Sequence, residues 1–228
     1  MVLIDHLVKH YFPRNITVLA YMDSPLYIDM DPIDTAIHFK GFAYQEKMKY
    51  ERYNVSSVLS EECLSKYSGA EGWKCLFGMY RIPYIKTPYF MVMSQYDSYQ
   101  LSLNLNNLSP PYSNSKYYDY ANQFAKLMRD KIEEYSNVVP SSGLVIRKTR
   151  NAYYSWSCYN HACSLSNCFS DGDEILGMAI KDAYSLFVLQ SFNQIIHDDD
   201  NATSLFWMHT CGQMNCGEGC LNKKMTID

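Results

Sequence analysis

Two stretches of this 228-residue chain are apolar on both alternating faces and end at an Asp-Ser pair. The first, Ile16-Thr17-Val18-Leu19-Ala20-Tyr21, runs into Met22-Asp23-Ser24-Pro25. The second, Thr87-Pro88-Tyr89-Phe90-Met91-Val92-Met93-Ser94-Gln95, runs into Tyr96-Asp97-Ser98. A strand without a polar face must be covered on both sides, which is the situation of parallel strands flanked by helices. The remaining segments supply such helices. Residues 3 to 11 place Leu3, Leu7 and Tyr11 four apart before Pro13 closes the turn. Residues 37 to 50 form a second candidate. From 117 to 135, Tyr117, Ala121, Phe124, Ala125, Leu127, Met128, Ile132 and Tyr135 share a face opposite Arg129, Asp130, Lys131, Glu133 and Glu134. A last helix, about 173 to 196, carries Leu176, Ala179, Ala183, Phe187 and Phe192 inward. Residues 144 to 148 read as a third short strand, which leaves His161 in a loop after it, and 104 to 115 as a loop bordering the same rim. The expected architecture is α/β, a mainly parallel sheet with helices on both faces, in a single domain spanning 1–228. Asp23, Asp97 and His161 then stand at the carboxyl ends of strands, where such sheets carry chemistry.

Composition excludes several classes of partner. The net charge is −4 and no Lys/Arg run exceeds Lys223-Lys224, so there is no electrostatic footprint for nucleic acid. No apolar stretch approaches the roughly 18 residues of a membrane span. At 47% apolar and 15% aromatic the chain is far too rich in core-forming side chains to stay disordered.

The eight cysteines fall in clusters: Cys63 with Cys75; Cys158, Cys163 and Cys168; Cys211, Cys216 and Cys220. Zinc wants Cys-x2-Cys or His-x3-His spacings, whereas within its clusters the chain offers only Cys-x4-Cys and Cys-x3-Cys, so disulfides in an oxidising compartment are the better reading and no metal or cofactor is expected. Sequons at Asn15, Asn54, Asn107 and Asn201 agree with a secretory route. The first ten residues, Met1-Val2-Leu3-Ile4-Asp5-His6-Leu7-Val8-Lys9-His10, have none of the three parts of a signal peptide. The two observations are reconciled if Met1 is internal to a longer, secreted protein.

An acid after one strand and a histidine after a later one keep the order of the last two members of an α/β-hydrolase triad. Local sequence adds to this. Glu71-Gly72-Trp73-Lys74-Cys75-Leu76-Phe77-Gly78, then Ile85-Lys86-Thr87-Pro88-Tyr89-Phe90, then Gln95-Tyr96-Asp97-Ser98-Tyr99-Gln100-Leu101, and finally Ser157-Cys158-Tyr159-Asn160-His161 together resemble the pectinacetylesterase/Notum family of secreted carboxylesterases. Asp23-Ser24-Pro25-Leu26-Tyr27-Ile28-Asp29 resembles that family's Asp-Ala-Gly-x-Phe-x-Asp block, with Ser24 and Pro25 departing from it. The likeness runs from about residue 3 to 220. It implies an α/β-hydrolase-like fold whose N-terminal part is missing here, Asp97 as the catalytic acid, His161 as the base, and a disulfide between Cys63 and Cys75. The other six cysteines allow fifteen pairings. At least one bridge between the 158/163/168 and 211/216/220 clusters is expected, because it would tether the histidine loop to the tail.

The family's nucleophile lies in a Gly-x-Ser-Ala-Gly-Gly elbow, and no Gly-x-Ser-x-Gly occurs in this chain. Ser24, Ser98 and Ser157 are poor substitutes; Pro25, for one, removes an amide an oxyanion hole would use. His209 reads as structural, and Asp198-Asp199-Asp200 as a solvated turn. Two readings follow. In one, the chain is the C-terminal part of an esterase acting on an acylated polysaccharide or an acylated protein, inactive without its serine and oxyanion hole. In the other, the same scaffold is a noncatalytic secreted binding module.

Overall fold

The computed structural model of the chain describes residues 4–34, 38–136, 151–162, 174–197, 205–217 and 220. Four parallel strands stand in the order β1 (Ala20–Asp23), β2 (Tyr89–Asp97), β3 (Ala152–Asn160), β4 (Leu205–Met208). Alternation along them builds two cores. Met22, Tyr89, Met91, Met93 and Tyr153 face one side, where α5 (Ser98–Asn104) adds Leu101 and α6 (Ser115–Ser136) adds Ala121, Phe124, Ala125, Met128 and Ile132. Phe90, Val92, Tyr154, Trp156 and Cys158 face the other, against Ile180, Ala183 and Phe187 of α7 (Ile180–His197). Every residue of β2 is buried, as a central parallel strand requires.

The long excursion from β1 to β2 carries α2 (Phe42–Arg52), α3 (Glu61–Lys66) and α4 (Gly78–Arg81) with short 3-10 turns. It packs on satellite clusters around Trp73 and Phe77 and around Leu59 and the Cys63–Cys75 disulfide. Gly78 is required there: a Cβ at this position would lie 2.2 Å from the carbonyl oxygen of Pro25, so only glycine lets α4 approach the turn after β1. The first helix, α1 (Ile4–Tyr11), is tied to the sheet through Asp5, whose carboxylate accepts from the amides of Lys86 and Thr87 and from Thr87 Oγ1.

Several expectations are corrected. The apolar run at 16–21 contributes only its last two residues to β1, and Ile16 is half-exposed. Tyr11 is 72% exposed and Leu7 exposed, so α1 is held by Asp5 rather than by a Leu3–Leu7–Tyr11 stripe, whose first member lies outside the described residues. The second helix begins at Phe42 rather than 37. Leu127 falls off the buried stripe of α6. The last helix starts at Ile180, because Leu176 and Gly177 both take positive φ in a tight turn closed by the Ile175–Met178 bridge; Leu176 sits at its tip, 89% exposed, and Phe192 is exposed as well. The strand before His161 is β3, in the stretch read as a cysteine-rich loop, whereas residues 144 to 148 lie outside the described residues. Residues 205–208 form a strand of their own.

Candidate active site

The register of the two central strands brings the acid and the histidine together. Beyond an irregularity at Ser94/Tyr96, Asp97 pairs with Asn160, so the residue after Asn160 emerges beside the Asp97 carboxylate. Asp97 is 1% exposed and both its oxygens are used. Oδ1 accepts from the Gln100 amide at 2.9 Å, capping α5; Oδ2 accepts from His161 Nδ1 at 2.7 Å. A capping hydrogen bond fixes the carboxylate rotamer, and the fixed carboxylate selects the Nδ1–H tautomer, which leaves Nε2 as the imidazole's acceptor. The hydrogen bond to Asp97 raises the His161 pKa above 6.5; burial works against it, and the negative charges of Asp97 and Asp23 add to it. The Tyr99 ring lies against the imidazole with centroids 5.2 Å apart, and the His161 amide donates to Asn160 Oδ1 at 2.8 Å. Tyr159 Oη bonds the Ser98 carbonyl and Ser109 Oγ, joining the histidine strand to the acid's helix and to the 104–115 loop.

His161 opens on a cavity of about 500 Å³, lined by Asp23, Ser24 and Tyr27 after β1, Glu46 and Lys49 of α2, and Phe77 and Gly78. Burial, followed by the Asp97 charge, pushes the Tyr27 phenol up to about 12, so it remains a hydrogen-bond donor at any physiological pH. Phe42 meets Tyr27 and Phe39 edge to face, and the Tyr99 ring lies tilted against Phe42. A larger cavity of about 610 Å³, between α1 and α3, lies at the amino ends of the strands, away from the rim that carries chemistry in parallel sheets.

The other sequence candidates separate clearly. Ser24 Oγ is engaged by Asp23 and by the amide of Ala162. Ser157 is fully buried and accepts from the Gly217 amide, with His209 Nδ1 3.2 Å away. Disulfides join Cys63 to Cys75, Cys158 to Cys220 and Cys211 to Cys216. The second of these spans the two clusters; Cys163 and Cys168 lie outside the described residues. Asn15, Asn54 and Asn107 are exposed, and Asn201 and Asp198 to Asp200 lie outside the described residues. Among the described residues no group of three or more His, Cys, Asp or Glu is placed to hold a metal ion, and no helix is long and apolar enough to cross a membrane. The sequence reading missed Tyr27 and Tyr99 as walls of the site, although both lie in the blocks that carry the resemblance.

Comparison with known proteins bears on the fold and the family. The Wnt deacylase Notum from Drosophila superposes with a TM-score of 0.72 in one crystal form and 0.69 in another, at 18% and 19% identity, covering 95% of this chain and 53% of the Notum chain. At that identity the likeness is one of fold. The palmitoleoyl-protein carboxylesterase NOTUM of Drosophila melanogaster is 26% identical over 127 residues, 56% of this chain and 18% of that protein. The chain thus spans about half the length of the solved relatives and under a fifth of the curated one. Residues 1–199 match the sequence profile of the pectinacetylesterase family, and the chain belongs to that family.

Proposed function

We propose that this chain carries the acid and the base of a serine carboxylesterase, with Asp97 and His161 in those roles. The observation that carries the reading is the 2.7 Å hydrogen bond between a buried, doubly engaged carboxylate and an imidazole that lines a cavity. In the reaction, Nε2 of His161 takes the proton of a serine hydroxyl as that oxygen attacks the ester carbonyl. The resulting imidazolium, steadied by Asp97, returns the proton to the leaving alcohol; water then repeats the sequence on the acyl-serine and releases the acid. In the family the serine and one oxyanion donor, the amide after it, belong to the Gly-x-Ser-Ala-Gly-Gly segment, and further donors to a Gly-Gly-Trp-Cys stretch; this sequence holds neither, so the chain alone should not turn over. The substrate is an acyl ester on a polysaccharide or a protein outside the cell, a setting supported by the disulfides and the exposed sequons.

The test is hydrolysis of p-nitrophenyl esters of increasing chain length by the chain extended upstream in its natural reading frame. Activity is expected only when the extension supplies the Gly-x-Ser-Ala-Gly-Gly elbow, and His161→Ala should lower kcat by at least about 10³-fold with the fold intact. A folded His161→Ala protein with wild-type rates, or a reading frame holding no elbow, would overturn the proposal in favour of a binding module.

A further inference from the structure

The turn after β1 and the turn after His161 are both strained, and they meet through one hydroxyl. Ser24 has φ 50° and Ala162 has φ 55°, the left-handed region that costs a non-glycine residue of order 1 kcal/mol or more. The Ala162 amide donates to Ser24 Oγ at 3.1 Å, and Ser24 Oγ donates to Asp23 Oδ1, also at 3.1 Å. Ser24 is itself pinned to the sheet, with its amide donating to the Val92 carbonyl of β2 at 2.8 Å, and is 5% exposed. Its hydroxyl therefore has one donor and one acceptor partner in fixed places.

We propose that Ser24 is a positioning residue that fixes the orientation of the His161 imidazole by anchoring the peptide that follows it. The inference rests on His161 being the base of the proposed esterase. The bond to Asp97 holds the ring at one nitrogen and leaves it able to swivel about that contact. The Ala162 amide, one peptide away, is a second fixed point, and two points define the direction of Nε2. The same hydroxyl orients the Asp23 carboxylate, whose charge acts on the imidazole. The titratable groups around the ring are Asp97 from β2, Asp23 from β1, Tyr99 from α5, and Tyr27, Glu46 and Lys49 across the cavity.

The experiment follows the His161 ring by NMR titration in the chain as it stands, which needs no activity. In Ser24→Ala the freed loop weakens the Asp97 bond, so the His161 pKa should move toward 6.5 by about half a unit. Ser24→Cys, which keeps a weak donor and acceptor, should fall between. Ser24→Gly removes the hydroxyl while relieving the positive φ, so it should fold even if Ser24→Ala does not, and should show the same shift. In the upstream-extended enzyme, Ser24→Gly should lower kcat roughly tenfold with KM changed less than about twofold. A wild-type His161 titration in both Ser24→Ala and Ser24→Gly overturns the proposal whatever the rates. A shifted titration in a protein that hydrolyses no ester leaves Ser24 as the anchor of His161 and removes only the esterase reading.

Discussion

His161 and His209 are close to mirror cases of one arrangement. Each directly follows a parallel strand, β3 for the first and β4 for the second, and each lies beside a hydrogen-bonding side chain of the neighbouring strand. Their partners give them opposite work. His161 donates Nδ1–H to a carboxylate, which strengthens as the ring gains a proton. His209 Nδ1 instead accepts from the Ser157 amide at 3.2 Å, with Ser157 Oγ equally near, and Nε2 faces the Glu174 carbonyl at 3.4 Å. The ring that accepts from a backbone amide is a strut. Around it the tail is sewn to β3: the Asn215 amide donates to the Ser157 carbonyl, the Tyr159 amide to Asn215 Oδ1, and Cys220 bonds Cys158. Arg129 Nη1 donates to Gln95 Oε1, while Gln95 Nε2 donates to the His209 carbonyl, linking the strut to α6. Position after a strand marks a histidine as a candidate; the atom its Nδ1 faces separates the one proposed as a base from the one that serves as support.

The sharpest way to break this contrast is at Asp97. Asn at 97 keeps an oxygen for the Gln100 amide, so the cap on α5 survives, but its amide cannot accept from Nδ1–H and drives the imidazole to the other tautomer. In the upstream-extended enzyme Asp97→Asn should lower kcat by about 10⁴-fold, while unfolding midpoints stay closer to wild type than those of Asp97→Ala, which also loses a cap worth about 1 kcal/mol. Steady-state kinetics beside denaturant unfolding checks both halves. An Asp97→Asn enzyme within tenfold of wild type would mean that the two histidines do not differ in the way their hydrogen bonds indicate.

How far the sequence reveals this contrast follows from which forces are local. β2 is legible because nine buried residues in a row leave one solution, and α6 because its stripe repeats at helical spacing. The Asp97 and His161 blocks are legible through the family resemblance. β3 is not, although Tyr153, Tyr154, Trp156 and Tyr159 are strong strand formers. Its alternate residues Ser155 and Ser157 look solvated in sequence and are wholly buried. Ser157 is satisfied by Gly217 and His209, which return from more than fifty residues downstream. Ser94, buried in β2, is likewise satisfied by the Cys158 carbonyl across the sheet. Ser157 and Ser94 are thus paid for by tertiary partners that no local pattern announces. The meeting of Ser24 with Ala162 is hidden for the same reason, whereas the Asp97 cap of α5 is a local contact with the amide three residues on, a role that the Asp97-Ser98-Tyr99-Gln100 order allows in the sequence.

A smaller effect sharpens the contrast from the other side. A Cβ at Gly217 would lie 2.0 Å from Nδ1 and Cε1 of the His209 ring, which is held at both nitrogens and has little room to yield. Gly217→Ala should therefore cost about 1 to 3 kcal/mol, the range for overpacking, read from denaturant midpoints with the disulfides intact. The His161 titration should stay at its wild-type value. Were it to move as far as in Ser24→Ala, the tail would be part of the positioning apparatus and the two regions one unit.

The smallest effect distinguishes the histidines by their protons. Because the bond to Asp97 raises the His161 pKa above 6.5, the folded protein holds this proton more tightly than the unfolded chain does. The stabilisation is therefore complete below about pH 6.5 and is lost as the pH rises through the folded value. His161→Gln removes it, so the stability gap between wild type and variant should be widest near about pH 6 and close toward about pH 9, measured as paired urea unfolding curves at each pH. Other titrating groups cancel in the difference. A gap that stays flat, or that widens with pH, would mean that the imidazole is not held by a carboxylate when protonated. It would then remove the electrostatic half of the distinction between His161 and His209, leaving only their different geometry.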